Sequence, residues 1–199
     1  MSHPAAPGAA LDASYGLWIA WLISWTLAAL WSRRSEAEPS MLAQASYRLP
    51  TVIGYGLIAF AARARVTGAP LWPLSPAAGW ALVVCQAAGF CFTWWARIHL
   101  GSLWSGSVTR KQDHRVIDTG PYRLVRHPIY TGLLFSTVVW AVQIAEPAAL
   151  LGVAFAILAF WLKARLEESF LARELGQDAY AAYRRRTPML VPFWPARLS

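Results

Sequence analysis

Five nearly unbroken apolar runs divide the chain: Tyr15 to Trp31, about Leu49 to Ala62, about Ala77 to Ile98, about Ile129 to Ala145, and about Ala148 to Leu162. A helix that crosses a bilayer needs about 20 apolar residues, with roughly 17 as a working minimum. The second and fifth runs fall short of this unless flanking Arg and Lys side chains reach out to the interface. The second is also interrupted by Pro50, Gly54 and Gly56. Only Glu146-Pro147 separates the fourth run from the fifth, so these two are expected to be antiparallel neighbours in a helical hairpin. Polar residues gather in two segments that bracket the hairpin, the loop Gly101–Pro128 and the tail after Leu162. The pattern predicts an all-α, polytopic membrane bundle of about five transmembrane helices. It reads as a single membrane domain, 1–199, with N-terminal helices in 1–98 and the polar, chemistry-bearing half in 99–199.

Composition agrees with this. Apolar residues make up 57% of the chain and charged residues 14%, where a soluble domain carries roughly 45–50% and 25%. A core able to hide that much apolar surface is beyond a chain of 199 residues. The twelve Trp residues suit a membrane–water boundary. The net charge of +8 does not point to nucleic acid, because the basic residues lie in the gaps between the runs. With the N-terminus outside, all of the eighteen Lys and Arg residues except Arg63 and Arg65 fall on the inner side. The positive-inside rule therefore predicts a cytoplasmic C-terminus, in the inner membrane if the source is bacterial. Met1 to Leu11 carries no Lys or Arg, so the first run reads as a retained helix and not as a cleaved signal. Cys85 and Cys91 sit six apart in an apolar run and read as small buried core residues.

The loop ends in Arg110-Lys111-Gln112-Asp113-His114-Arg115-Val116-Ile117-Asp118-Thr119-Gly120-Pro121-Tyr122, followed by Arg126-His127-Pro128-Ile129-Tyr130. Thr119-Gly120-Pro121-Tyr122 reads as a turn. Pro128 suits the first turn of a helix, which puts His127 at the mouth of the fourth helix and Tyr130 one turn in. A helix N-terminus is a natural seat for a carboxylate, and Arg126 adds charge there. The fifth helix is expected to continue past Leu162, carrying Lys163, Arg165, Glu167 and Glu168, with Gly176 as a candidate end. A short helix around Tyr180–Arg186 follows, and Pro188 stops it. Each of these residues also has a plain structural reading. His114 and His127 lack a third ligand for a metal. Arg184 to Arg186 read as membrane-surface anchors. Glu167 and Glu168 taken alone read as a solvated helix face.

Combination and order carry more than any single residue. The stretch His114-x-Val-Ile-x-Thr-Gly-Pro-Tyr122-x-x-x-Arg126-His127-Pro128-x-Tyr130-x-Gly132, with the later Glu167-Glu168, Gly176, Tyr180-x-x-Tyr183 and Pro188 to Pro192, resembles the isoprenylcysteine carboxyl methyltransferase family. The wider group includes phospholipid N-methyltransferases. The resemblance covers roughly Gly101 to Pro195. It implies an integral membrane enzyme that binds S-adenosyl-L-methionine in a cytoplasmic pocket built from the loop before the fourth helix and the C-terminal tail. The chain has no strand followed by a G-x-G-x-x-G loop, in keeping with a helical scaffold. Carried over by position, the resemblance implies cofactor contacts from Gln112, His114, Arg115, Val116, Ile117, Tyr122, His127, Pro128, Ile129, Tyr130 and Glu167. It implies catalytic roles for Arg126 and Arg165, and substrate contacts from Lys163, Arg165 and Glu168. The chain departs from the family in one place: the spacing at which relatives carry a Gln falls near Ser107, and Gln112 lies two residues before His114.

The implied partners are membrane lipids and a lipophilic or lipidated substrate that enters from the bilayer, with no metal. The acceptor stays open among a prenylated cysteine carboxylate, a phospholipid amine, a small thiol and an isoprenoid acid. No dedicated base stands out, which favours a carboxylate, since an amine or thiol must lose a proton at some stage. Two rivals remain. One is an NADPH-dependent membrane reductase related to sterol reductases, for which the chain is short. The other is a non-enzymatic membrane protein, a small transporter or a scaffold, and a transporter would place ionisable residues inside the runs.

Overall fold

The computed structural model describes residues 8–30, 40–64, 69–101, 117–174 and 177–193. Regular structure among them is helical throughout: α1 (Gly8–Ala29), α2 (Met41–Ala64), α3 (Pro76–Leu100), a 3-10 turn (Gly120–Arg123), α4 (Pro128–Ile144), α5 (Pro147–Glu174) and α6 (Gln177–Arg186). α3 and α5 are long and apolar enough to cross a bilayer, and α4 is apolar but shorter.

The second, third and fifth apolar runs lie inside α2, α3 and α5, α1 and α4 take up most of the first and fourth, and α2 and α5 extend well beyond their runs. α2 is 24 residues, continuous through Pro50. It starts well before its apolar run, at Ser40, whose Oγ accepts from the Ala43 N–H (3.3 Å). In the turn that Pro50 interrupts, Thr51 Oγ1 donates to the Tyr47 carbonyl (2.8 Å), the kind of side-chain compensation that lets a helix carry proline. α5 extends for 28 residues and carries Lys163, Glu167 and Glu168 on its C-terminal turns. The expected hairpin is present. Ala145 adopts a left-handed conformation (φ 56°, ψ 42°) that ends α4, and α5 begins two residues later.

Two close glycine contacts set the helix packing. A Cβ on Gly54 of α2 would lie 2.8 Å from the Gly152 carbonyl oxygen of α5, and one on Gly152 would lie 2.6 Å from the Gly54 oxygen. Gly89 of α3 and Gly132 of α4 meet in the same way, with a Gly132 Cβ 2.7 Å from the Gly89 oxygen. Backbones approach this closely only where side chains are absent, as in membrane helix pairs. Both pairs are antiparallel, so the C-terminal ends of α3 and α5 share one end of the bundle with the N-terminal ends of α2 and α4.

The interior is aromatic, with polar groups bridging the helices. Trp18 meets Phe90 edge to face at 4.8 Å, and Trp21 stacks on Phe90 at 5.6 Å. Ser14 of α1 donates to Gln143 Oε1 of α4 (2.5 Å), Gln86 Nε2 of α3 donates to the Ser14 carbonyl (3.1 Å), and Trp21 Nε1 donates to Thr93 Oγ1 (3.0 Å). The outside is apolar as well: Leu22, Ile23 and Leu27 on α1, Val84 and Ile98 on α3, and Leu151 and Leu158 on α5 are all exposed. A helix apolar on every side belongs in a large core or a bilayer. Cys85 and Cys91 correct the sequence expectation. They are free and exposed on α3, facing outward with the other apolar side chains. The apolar surroundings that sequence pattern assigned to a core are, on this helix, the outer surface.

Candidate functional site

Glu167 and Glu168 of α5 face inward, so the solvated-face reading fails. Consecutive helical positions point about 100° apart, and the two carboxylates accordingly meet different partners. Glu168 is 4% exposed. Its Oε1 accepts from Arg126 Nε (2.7 Å) and lies 3.2 Å from His127 Nε2, and its Oε2 lies 3.4 Å from Arg184 Nε. The Glu167 side chain keeps 20% exposure, which makes it the carboxylate of the pair that a ligand can reach. Its Oε2 lies 3.4 Å from His127 Nδ1, and its Oε1 accepts from the Tyr130 hydroxyl.

His127 therefore stands between two carboxylates, one at each ring nitrogen. A neutral imidazole would turn a lone pair toward one of them, and the doubly protonated ring satisfies both. Burial pulls its pKa down, but the hydrogen bonds and charges of Glu167 and Glu168 outweigh burial and raise it above the ordinary value. The ring is parallel to Tyr130, with centroids 5.5 Å apart and planes 4° apart. Tyr130 in turn packs on Phe160 at 5.1 Å.

Local sequence explains the placement. Pro128 opens α4 with His127 as its N-cap, as the Arg-His-Pro-x-Tyr order predicts. The tail after α6 then lies along this N-terminus. The Arg126 N–H donates to the Pro188 carbonyl (2.8 Å), the His127 N–H to the Met189 carbonyl (3.1 Å), and Thr131 Oγ1 to the Leu190 carbonyl (2.6 Å). Arg126 Nη1 adds bonds to the Thr187 carbonyl (2.5 Å) and the Arg184 carbonyl (3.1 Å). The 3-10 turn is held by Tyr183, whose hydroxyl donates to the Tyr122 carbonyl (2.6 Å). Burial pushes the phenols of Tyr122, Tyr180 and Tyr183 up, so all three stay neutral.

The structure brings together Arg126, His127, Tyr130, Glu167, Glu168 and Lys163. Lys163 Nζ lies 5.2 Å from the Tyr130 ring centroid and 5.5 Å from that of Tyr47. Pro128 and Ile129 are buried in the first turn of α4, and Ile117 and Tyr122 pack on the same core. Arg165 stays apart, exposed on the outer side of α5 with its guanidinium over the Trp161 ring (5.4 Å). Gln112, His114, Arg115 and Val116 lie outside the described residues, as does Gly176. Two of the three tail arginines do more than face a membrane surface: Arg184 reaches Glu168, and Arg186 pairs with Asp118. Sequence reasoning missed Phe160 and Tyr47. Phe160 is hidden within an apolar run, and Tyr47 sits on a helix that carries no motif.

Residues 81–173 match the family described as the isoprenylcysteine carboxyl methyltransferase (ICMT) family. The protein-S-isoprenylcysteine O-methyltransferase B of Arabidopsis thaliana is 30% identical over 87 residues, 43% of this chain and 44% of that protein. A probable protein-S-isoprenylcysteine O-methyltransferase of Oryza sativa subsp. indica is 29% identical over 106 residues, 53% of this chain and 50% of that protein. The chain spans about half the length of these curated relatives. The match takes in the described hairpin of α4 and α5 with both glutamates, and leaves out α1, α2 and the tail strap. The segment from 81 to 173, and with it the α4 and α5 walls of the site, is thus similar to the isoprenylcysteine carboxyl methyltransferase family.

Proposed function

We propose that the chain is a multi-pass membrane methyltransferase that moves a methyl group from S-adenosylmethionine to the carboxylate of a lipophilic acceptor, a prenylated cysteine being the acceptor named by its relatives. The observation that carries this reading is the placement of Glu167. One accessible carboxylate, held by Tyr130 and His127, stands at the end of an apolar bundle with Lys163 one turn deeper. The topology that fits is five spans, with the N-terminus outside and both polar segments on the cytoplasmic face.

These groups suit the proposed cofactor. Glu167 is placed to hold ribose hydroxyls or the amine, with Tyr130 beside it as a further proposed contact. The N-terminus of α4 with His127 is placed near a carboxylate. Gln112, His114, Arg115, Val116, Ile117, Tyr122, Pro128 and Ile129 complete the proposed contacts. The cofactor, when bound, supplies an electrophilic methyl group whose bonding pair stays with the departing sulfur. Lys163 faces the acceptor. Arg126 and Glu168, engaged with one another and with the tail, act as positioning residues. Much of the rate of an in-line transfer comes from such positioning.

A carboxylate acceptor attacks with its own lone pair and releases no proton. That matches a site in which Glu167 and Glu168 raise the His127 pKa and Glu167 already accepts from Tyr130, an arrangement that favours an acceptor needing no base.

Calorimetric binding of S-adenosylhomocysteine to the purified chain tests the reading. Binding is expected, and Glu167→Ala and His127→Ala should weaken it with the fold retained. A well-folded wild type that does not bind it in detergent or in lipid overturns the cofactor assignment, and binding of NADPH in its place would support the reductase.

A further inference from the structure

Tyr47 lies on α2, outside the segment that matches the family. It is 5% exposed, and its hydroxyl has no hydrogen-bond partner among the described residues. Buried polar groups are rarely left this way, and one left unpaired beside a site marks a place where a ligand atom can complete the set. Its ring and that of Tyr130 together flank Lys163 Nζ. Lys163 and Glu167 are four residues apart, on the same face of α5. Lys163 lies about 6 Å further along the helix axis, toward the apolar body of the bundle. Leu49 and Val52 on α2 and Leu158 and Trp161 on α5 are exposed near this level and offer an apolar flank for a hydrocarbon chain.

We infer that Tyr47 is an acceptor-binding residue: with Lys163 it forms a donor pair for one oxygen of the acceptor carboxylate and leaves the other oxygen free to attack. Lys163 supplies the charge, and the Tyr47 hydroxyl supplies a directed hydrogen bond. The aromatic faces of Tyr47 and Tyr130 hold the ammonium in place. The N-terminal half of the chain thus contributes to recognition of the acceptor. The inference rests on the methyltransferase reading proposed above.

The test is Tyr47→Phe, which keeps the ring and removes only the hydroxyl. The full chain in lipid nanodiscs is assayed with labelled methyl donor and N-acetyl-S-farnesylcysteine as acceptor, beside calorimetry with S-adenosylhomocysteine. Inhibition by the corresponding farnesylcysteine carboxamide is measured on both proteins. The expected result is a KM for the acceptor raised about tenfold, as for loss of one hydrogen bond to a charged group. S-adenosylhomocysteine affinity should not change, and the preference for carboxylate over carboxamide should shrink. An unchanged acceptor KM overturns the inference. Equal loss of S-adenosylhomocysteine affinity and acceptor KM also overturns it, since the hydroxyl would then be supporting the whole site. A wild type that binds S-adenosylhomocysteine but ignores the farnesyl acceptor overturns the assignment of Tyr47 to a prenylcysteine carboxylate and leaves the cofactor reading standing. No S-adenosylhomocysteine binding by wild type brings down both.

Discussion

Replacing Arg126 with methionine keeps most of the apolar stem and removes the guanidinium. In the native chain that group bonds Glu168 at 2.7 Å, the Thr187 carbonyl at 2.5 Å and the Arg184 carbonyl at 3.1 Å, with the two charged side chains 1% and 4% exposed. The substitution leaves Glu168 buried without its nearest cation and two tail carbonyls short of a donor. Removing one partner of a buried ion pair costs about 3–5 kcal/mol. Arg184 and His127 remain near Glu168 and offset part of this, so a cost of about 3 kcal/mol is expected. Equilibrium unfolding in mixed micelles measures it. Hydrogen exchange gives an independent reading, because the Arg126 and His127 amides are protected by Pro188 and Met189 carbonyls and should exchange faster once the strap loosens. Arg126→Met with Glu168→Leu should cost less than the two single substitutions added together, since each single change strands a charge and the double change strands none. A loss of under about 0.5 kcal/mol for Arg126→Met, the range of ordinary surface substitutions, or unchanged amide exchange, would refute the clamp.

Because the His127 pKa is raised, its ion pairs contribute fully below the unfolded value of about 6.5 and are lost as pH rises through the higher folded value. Stability and S-adenosylhomocysteine affinity should therefore both fall on the alkaline side, and His127→Gln should flatten the profile in a pH series of thermal melts. Gly54→Leu and Gly132→Leu push a side chain into a facing backbone oxygen 2.8 Å or less from the Cβ, or into its neighbours. Each should cost about 1–3 kcal/mol in the same micelle unfolding assay, whereas Gly56→Leu, where a Cβ meets nothing within 4 Å, should be tolerated. Lys163→Met should raise the acceptor KM by about tenfold or more, while Arg165→Ala, exposed over Trp161, should leave acceptor and donor parameters near wild type in the methyl-transfer assay.

Element existence was legible because apolar runs of this length have few other uses, and the hairpin was legible because Glu146-Pro147 leaves room for nothing else. Helix ends were less so. α2 begins well before its apolar run because Ser40 can cap it and because Gln44, Ser46 and Arg48 are compatible with the end of a helix. The order Arg126-His127-Pro128-x-Tyr130 located the α4 end of the site, since proline fixes where the helix starts and so which way its neighbours face. Hidden from the sequence was the side of α5 on which each basic residue falls. Lys163 and Arg165 are two positions apart, about 200° around the helix, and only the packing of α2 against α5 shows that Lys163 faces in. Tyr47 was invisible for a related reason, since its significance arises from a contact across more than a hundred residues.

The adjacency of Glu167 and Glu168 has a physical purpose in this geometry. Two carboxylates side by side repel, and two in a buried site would drive one to take up a proton. Here the divergence of consecutive helical positions sends Glu168 toward Arg126 and Arg184, and Glu167 toward Tyr130, with His127 bridging the two. A single imidazolium compensates half of each carboxylate, and Arg126 and Arg184 complete the balance on the Glu168 side alone. Glu167 is left with a hydroxyl, a shared cation, the charge of Lys163 one turn away and an open flank, so it is the carboxylate with capacity to bind a further donor. The clamp around Glu168 and the receptive state of Glu167 are thus one arrangement. Loosening the tail strap should weaken ligand binding at Glu167 even though no strap side chain needs to touch the ligand.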